Sequence, residues 1–151
     1  MNDEAYLEQA ITASKESVAT GGFPAGSIVV FESKIIAKGI SNGKATHDPT
    51  NHAEIAAIRA ACQTLQTRNL SNVVLYSSLE PCLMCFAAAS WASIQKIVYA
   101  ARRNMVSKQH FEGNHELTSL NASLRHPIEL IYIPKLEQEA LQVIETWESK
   151  Q

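Results

Sequence analysis

Four side chains suited to metal binding and proton transfer lie in two short segments of the sequence. His52 and Glu54 are two residues apart, and Cys82 and Cys85 are three residues apart. Zinc binds imidazole nitrogen and thiolate sulfur, and a catalytic zinc site uses three protein ligands and keeps the fourth position for water. His52, Cys82 and Cys85 therefore form a candidate open zinc site, and Glu54 is placed to move protons beside it.

The other candidate ligands do not complete a closed, four-ligand site. The third cysteine, Cys62, lies in a helical run eight residues after Glu54, where we interpret it as a small buried hydrophobe. A redox pair is the alternative for Cys-x-x-Cys. Glu80 could be catalytic, but we interpret a carboxylate just before a helix start as a capping charge. The remaining histidines have no paired spacing with a cysteine and are interpreted as solvated or satisfied: His47, His110, His115 and His126.

Both ligand segments are predicted to lie at helix N-termini. Residues 48–51 offer N-cap side chains before a helix over 53–66. Pro81 is predicted at the first position of a second helix, where its missing N–H needs no partner. Cys82 and Cys85 then share one helix face, and a helix N-terminus favours thiolate over thiol. We therefore expect two helix N-termini to meet at one metal.

The rest of the sequence predicts an α/β fold in one domain over 1–151. Apolar runs bounded by turn residues predict five strands, and longer helical periodicities predict helices around them. The predicted strands are 27–31, 34–40, 73–77, 96–100 and 128–133, and the predicted helices are 3–20, 53–66, 82–92 and 136–147. The polar segment 102–123 predicts one short helix at most. Strands that alternate with helices imply a sheet with helices packed on its faces.

Composition narrows the class of protein. Hydrophobic residues make up 46% of the chain, which is enough for a real core. The net charge of −2 gives no general attraction to nucleic acid. No apolar stretch is long enough for a transmembrane helix, and the first residues lack a secretory pattern. Free thiols without a targeting signal predict a cytoplasmic protein.

The motifs together resemble the cytidine deaminase superfamily, on its purine-acting side. Its signature, H-x-E followed by P-C-x-x-C, is typical of zinc nucleobase deaminases. The matching segments are residues 22–27, Asn42, 47–54 and 78–85. The resemblance implies a three-layer αβα cytidine-deaminase-like fold with a five-stranded mixed sheet, a Zn²⁺ cofactor and a homodimer.

Two branches of that superfamily are similar to this chain. Guanine deaminases resemble it in Trp91, in residues 100–101 and in the Phe111–Glu112 step, whereas bacterial tRNA adenosine deaminases resemble it in residues 47–50 and 79–82. The sequence departs from the guanine deaminase pattern at Gly113, where that branch has a second acid. Ala87 and His110 also replace residues that are usually glycine.

The resemblance assigns a role to each matched residue. His52, Cys82 and Cys85 are implied zinc ligands, and Glu54 is the implied proton shuttle. The remaining roles are contacts to a base: the backbone N–H of Ala53, the side chain of Asn42, Trp91 as part of the pocket wall, and Glu112 as the acid directed at the purine. For Trp91, an ordinary core tryptophan is the alternative.

Three hypotheses for the function follow. The first is a zinc-dependent deaminase of a small purine-type base, guanine or a related aminated heterocycle; the second is a tRNA-specific adenosine deaminase, or a cytosine- or cytidine-type enzyme. The third is a zinc-stabilised binding domain, which has no use for Glu54. Lys96, Arg102, Arg103 and Lys108 form only a modest basic cluster, and the C-terminal helix is acidic, so charge favours a small-molecule substrate over nucleic acid.

Overall fold

A computed structural model describes residues 1–151 as a five-stranded sheet with six α-helices. The strands are β1 (Gly26–Phe31), β2 (Lys34–Ile40), β3 (Val73–Leu79), β4 (Lys96–Ala101) and β5 (Glu129–Tyr132). The helices are α1 (Asp3–Ala19), α2 (Gly43–Thr46), α3 (Ala53–Leu65), α4 (Leu83–Trp91), α5 (Leu117–Ala122) and α6 (Glu137–Glu148). All five predicted strands are present, and the polar segment contains α5 and two short 3₁₀ turns.

The sheet is mixed, with the strand order β2-β1-β3-β4-β5. β1 pairs antiparallel with β2 and β3, whereas β4 pairs parallel with β3 and β5. Two parallel neighbours need a crossover between them, and α4 supplies it between β3 and β4. The chain therefore leaves the carboxyl end of β3 and passes directly into the segment that contains both candidate thiolate ligands.

Two hydrophobic clusters cover the two faces of the sheet. Neighbouring residues of one strand point to opposite faces, so Ile28 packs with α1 and α6 while Val29 packs with α3 and α4. The same alternation places Leu75 and Tyr76 in different clusters. This arrangement confirms the predicted three-layer αβα fold. None of the six helices combines the length and apolar character needed to cross a membrane.

The two helix starts beside the candidate metal ligands differ in detail from the prediction. His52 is the N-cap of α3 and Cys82 is the N-cap of α4. Residues 48–51 do not cap α3; Asp48 instead accepts hydrogen bonds from the amide and hydroxyl of Thr50. Pro81 precedes the N-cap of α4 and is not its first helical residue. Both N-caps have extended backbone, which projects their side chains from the helix ends.

A glycine sets the distance between β2 and the first turn of α3. A Cβ added to Gly39 would lie 2.0 Å from the carbonyl oxygen of Ala53 and 2.6 Å from the amide nitrogen of Ala57. Both neighbours are backbone atoms, which cannot rotate away. The absence of a side chain at position 39 therefore lets the helix start that carries His52 and Glu54 lie directly against the sheet.

Candidate active site and metal centre

Three side chains from the starts of α3 and α4 converge on one point. His52 Nδ1 lies 3.5 Å from both Cys82 Sγ and Cys85 Sγ, and the three ligand atoms all lie within 4.8 Å of one another. Tetrahedral zinc with bonds of about 2.0–2.1 Å to nitrogen and 2.3 Å to sulfur separates such ligands by about 3.5 Å. The residues thus fit a zinc ion without rearrangement. Cys62 is half-buried against the core and is not part of this group.

Proton sharing among these ligands prepares Cys82 to be a thiolate. The pKa of Cys82 is lowered to about 6, first by a hydrogen bond from the Cys85 thiol and further by His52, against the opposing effect of burial. The same contact, together with burial, raises the pKa of Cys85. The hydrogen bond with Cys82 raises the pKa of His52. Protons compete with a metal ion for these ligand atoms, so metal affinity is expected to depend on pH.

Glu54 is a buried carboxylate in the first turn of α3, only 5% exposed. Its Oε1 lies 2.8 Å from Ser77 Oγ and 3.3 Å from Ser27 Oγ. Ser27 and Ser77 are paired across β1 and β3, and both are fully buried. Neither serine is predicted from spacing, although a hydroxyl inside an apolar, buried strand indicates that it has a polar partner there.

A cavity of about 300 Å³ lies over the metal ligands and Glu54. This volume is at the lower end of the range for small-molecule sites. Its lining combines aromatic rings, small apolar groups and a few polar side chains: Phe23, Ala25, Ser41, His52, Ala53, Glu54, Leu79, Glu80, Cys82, Gln109, His110 and Phe111. Ala53 belongs to the first turn of α3, whose N–H groups have no partner within the helix.

Asn42 lies next to the cavity but is not part of its lining. Its neighbour Ser41 lines the cavity, and its own backbone pairs with Asn51 and with Thr46. A contact between the Asn42 side chain and a bound base therefore stays a prediction.

Glu112 occupies a different place from the predicted one. Its two carboxylate oxygens accept hydrogen bonds from the amides of Leu83 (3.2 Å) and Met84 (3.0 Å), so it caps the N-terminus of α4 and does not line the cavity. Partial burial opposes its ionisation, but hydrogen bonds from backbone amides, that of Met84 foremost, hold its pKa below the usual range. Unpaired amides and the helix dipole attract a carboxylate to such an end, which explains the place of Glu112 beside α4.

Trp91 also departs from its predicted place. It is the last residue of the nine-residue helix α4 and is 89% exposed. At 1.5 Å per residue, the helix carries it about 12 Å from the end that holds Cys82. Trp91 is therefore neither a wall of this cavity nor a core residue of the chain.

Glu80 is a cavity residue and not the helix cap that the sequence suggested. It is 8% exposed, and its Oε1 accepts a hydrogen bond from the Arg103 amide at 3.3 Å. Burial raises its pKa, against the opposing effect of the Arg103 contact. The signal for this placement is its position directly after β3, because the carboxyl end of that strand opens onto the same edge as the start of α4.

The segment around residues 107–111 supplies the cavity wall that the sequence left undescribed. His110, interpreted from the sequence as solvated or satisfied, is satisfied by Glu148, and its side chain is 9% exposed. It lines the cavity together with Gln109 and Phe111. The segment forms a single 3₁₀ turn over Lys108–His110. A polar stretch with no sustained periodicity gives no indication of which of its side chains turn inward.

Comparisons with known proteins agree with this geometry. Guanine deaminase of Bacillus subtilis (strain 168) is 41% identical over 115 residues, which cover 76% of this chain and 74% of that protein. A tRNA-specific adenosine deaminase of Buchnera aphidicola is 35% identical over 120 residues, covering 80% and 74% of the two proteins. The solved structure of guanine deaminase from Nitrosomonas europaea superposes with a TM-score of 0.84 at 26% identity, covering 97% of this chain and 84% of that one.

A family model describes the part of the chain that holds the candidate metal centre. The model for the cytidine and deoxycytidylate deaminase zinc-binding region matches residues 1–101, which include His52, Glu54 and both ligand cysteines. With the three ligand atoms placed to hold one zinc ion, the chain belongs to the cytidine and deoxycytidylate deaminase zinc-binding family.

Proposed function

We propose that this protein is a zinc-dependent hydrolase that removes the amino group of a purine-type base, guanine or a related aminated heterocycle, as ammonia. The observation that carries the proposal is the small cavity of about 300 Å³ over the metal ligands and Glu54. Phe23 and Phe111 offer aromatic surfaces for a flat ring. A volume at the lower end of small-molecule sites suits a free base.

The proposed chemistry assigns proton transfer to Glu54. His52, Cys82 and Cys85 would hold zinc, which when bound supplies a water of lowered pKa. Glu54 takes a proton from the water and passes it to a ring nitrogen of the base as the water oxygen bonds to the carbon that carries the amino group. Glu54 then moves the remaining hydroxyl proton to that amino group, and the carbon–nitrogen bond breaks to release ammonia. Ser77 and Ser27 hold one of its oxygens, which leaves the other for these transfers. The free N–H of Ala53 is a donor for orienting the base.

Glu80 takes over the role that the sequence gave to Glu112. It is the second carboxylate of the cavity, and its side chain keeps one oxygen free of protein partners because Arg103 contacts only Oε1. A carboxylate there can accept hydrogen bonds from the exocyclic amino and ring N–H groups of a guanine-type ring. This pairing would favour guanine over cytosine, which presents fewer such donors.

The alternative is a tRNA-specific adenosine deaminase, which the Buchnera relative favours. Binding a polynucleotide requires several cations that are free to contact phosphates. Three of the four basic side chains that the sequence suggested as a cluster are engaged within the fold: Lys96 with Asp3, Arg102 with Glu137, and Arg103 with the carbonyl groups of Gly113 and His115. The surface charge thus supports the small-molecule substrate.

A panel assay of ammonia release tests the proposal. The zinc-loaded protein would be given guanine, guanosine, cytosine, an aminotriazine and a tRNA that carries the anticodon adenosine, with Glu54→Gln as the blank. We expect turnover of a guanine-type base above the blank. Turnover of the tRNA alone would make the alternative correct, and no turnover of any panel member would overturn the purine-base proposal.

We also propose that the protein forms the homodimer implied by the family resemblance. Light scattering behind size exclusion would give about twice the 16.6 kDa chain mass. A mass of one chain at micromolar concentration would contradict the proposal.

A further inference from the structure

The last turn of α6 contacts the wall of the cavity from behind. Trp147 meets Phe23 edge to face with ring centroids 5.3 Å apart, and it meets His110 at 6.0 Å. Phe23 and His110 also contact each other, at 5.0 Å. We call these three side chains the aromatic cluster. Two of its members, Phe23 and His110, line the cavity, and the third supports them.

The residue after Trp147 holds the same histidine by a second contact. His110 Nε2 lies 3.0 Å from Glu148 Oε1, and the imidazole is 9% exposed while the carboxylate is 41% exposed. The consecutive residues Trp147 and Glu148 therefore fix both the plane of the ring and the direction of one nitrogen. No buried side-chain nitrogen or oxygen in the molecule lacks a hydrogen-bond partner. Since Nδ1 of His110 has no protein partner, it is not fully buried.

The wall segment itself has little structure of its own. It consists of one 3₁₀ turn, Lys108–His110, between irregular segments. Turns of this length are weakly determined by their own hydrogen bonds, so tertiary contacts decide where His110 lies. The C-terminal helix supplies two such contacts.

We propose that His110 is a specificity-determining residue that presents Nδ1 to the bound base, and that Trp147 and Glu148 are positioning residues that hold it in place. The inference rests on the proposed function, because it assigns the cavity to a base. An imidazole nitrogen fixed by a partner on the other ring nitrogen is a directional hydrogen-bonding group.

Kinetics of matched variants of α6 test the proposal. Glu148→Gln replaces the carboxylate beside His110 Nε2 with a neutral amide of similar shape, and Trp147→Leu removes the supporting ring. Each should raise KM about five- to tenfold for the base that the panel assay identifies, with kcat, zinc content and Tm changed much less. Glu145→Gln, an exposed change on the same helix, should behave as the parent. Parent-like KM in both Trp147→Leu and Glu148→Gln would overturn the proposal.

Selectivity gives a readout that a structural role would not move. His110→Gly removes the imidazole and with it both ring nitrogens. We expect the ratio of kcat/KM between the base that is turned over best and the other panel compounds to fall by about tenfold in this variant. An unchanged ratio would mean that His110 does not contact the base.

A measurement without substrate separates failure of this inference from failure of the proposed function. The chain has two tryptophans, so Trp91→Phe leaves Trp147 as the sole indole fluorophore. In that background, His110→Gly and Glu148→Gln should each shift the Trp147 emission, whereas Glu145→Gln should not. A shift combined with no turnover of any base would count against the proposed function, and the absence of a shift would overturn the aromatic cluster itself.

Discussion

At the scale of single residues, the orientation of Glu54 depends on two serines from neighbouring strands. Ser77 and Ser27 both lie within hydrogen-bonding distance of Oε1. A buried carboxylate without such partners would be costly, and a carboxylate that rotates freely would meet the reacting atoms only part of the time. The pair therefore both lowers the cost of burying Glu54 and directs it.

Replacement of Glu54 by glutamine tests the proton shuttle. The amide keeps the shape of the side chain and can still accept hydrogen bonds from the serines, so we expect normal folding and normal zinc content. Turnover should fall by about 10²–10⁴-fold or more, since one group serves several proton transfers. Ammonia release and metal analysis on the same sample measure both. Near-parental turnover in a zinc-loaded Glu54→Gln protein would refute the assignment.

Replacement of Ser77 by alanine tests the orientation of Glu54. Hydrogen bonds to charged groups contribute about 1.5–3 kcal/mol, so kcat should fall by about tenfold or more while zinc content stays unchanged. Ser78→Ala is the matched control, because Ser78 is equally buried but binds the Gly26 amide and not Glu54. Ser78→Ala should lower Tm with little effect on kcat, and equal kcat values in the two variants would contradict this role.

The spacing of residues along the sequence predicts some members of the site and gives no indication of others. His52 and Glu54, like Cys82 and Cys85, are close in sequence because one helix start must hold each pair. Ser77 meets Glu54 through strand pairing, and nothing in its spacing signals that contact. The Glu112 carboxylate could contact a base in the cavity or cap a helix. The sequence could not show that the amides at the start of α4 would bind it.

At the scale of elements, the metal centre depends on how closely α3 lies against β2. Gly39 allows that approach, since a Cβ there would collide with the backbone of Ala53. Ala53 lies between His52 and Glu54, so any displacement of the first turn moves a metal ligand and the proposed shuttle together. The sequence predicted β2 and α3 but not this contact, because the segment that joins them has no periodic signal.

Substitution of Gly39 by alanine should therefore weaken metal binding from outside the site. We expect a loss of about 1–3 kcal/mol in the free energy of unfolding, as for other overpacked positions, and a weaker zinc affinity in competition with a chromophoric chelator. Gly21→Ala provides the comparison, since Gly21 has a φ of +88° but no atom within 4 Å of an added Cβ. That variant should lose stability through strain and keep the parental zinc affinity; a loss of affinity in both would argue against the specific contact.

At the scale of the whole molecule, an ion pair joins the end of the sheet to the C-terminal helix. Arg102 follows β4 and donates to both carboxylate oxygens of Glu137, with two guanidinium contacts of 2.9 Å and one amide contact of 3.1 Å. These bonds, the Arg102 side chain first among them, hold the pKa of Glu137 below its usual range. The pair fixes the first turn of α6, and Trp147 near the far end of the same helix contacts Phe23 and His110, which line the cavity.

The contribution of Glu137 should depend on pH in one direction. The pKa of Glu137 is lower in the folded protein than in the unfolded chain. Its contribution to the free energy of unfolding is therefore fully present above the pKa of the unfolded chain, about 4.3. That stabilisation is lost as the pH falls through the lowered value. Glu137→Gln should thus cost about 1–2 kcal/mol at pH 7, a figure reduced by the partial exposure of Arg102.

Urea unfolding of the parent and of Glu137→Gln at a series of pH values measures this difference. We expect the two curves to converge as the buffer becomes strongly acidic. The control is Glu139→Gln, which removes an exposed carboxylate 3.9 Å from Lys15 and should change little at any pH. A difference that grows on acidification would have the wrong sign for the proposed contact.

The thiolate and imidazole ligands stand at the ends of two helices, and neither cysteine ligand belongs to either hydrophobic cluster. A chelator would therefore remove the link between the start of α3 and the start of α4, whose ligands His52 and Cys82 are 30 residues apart. We expect both hydrophobic clusters to stay packed. Amide hydrogen exchange should then accelerate in residues 53–56 and 83–86, with the central strands still protected. If the strands lost protection together with those segments, the ion would be a condition for folding. Local opening alone would mean that the ion can be removed and bound again while the sheet stays folded.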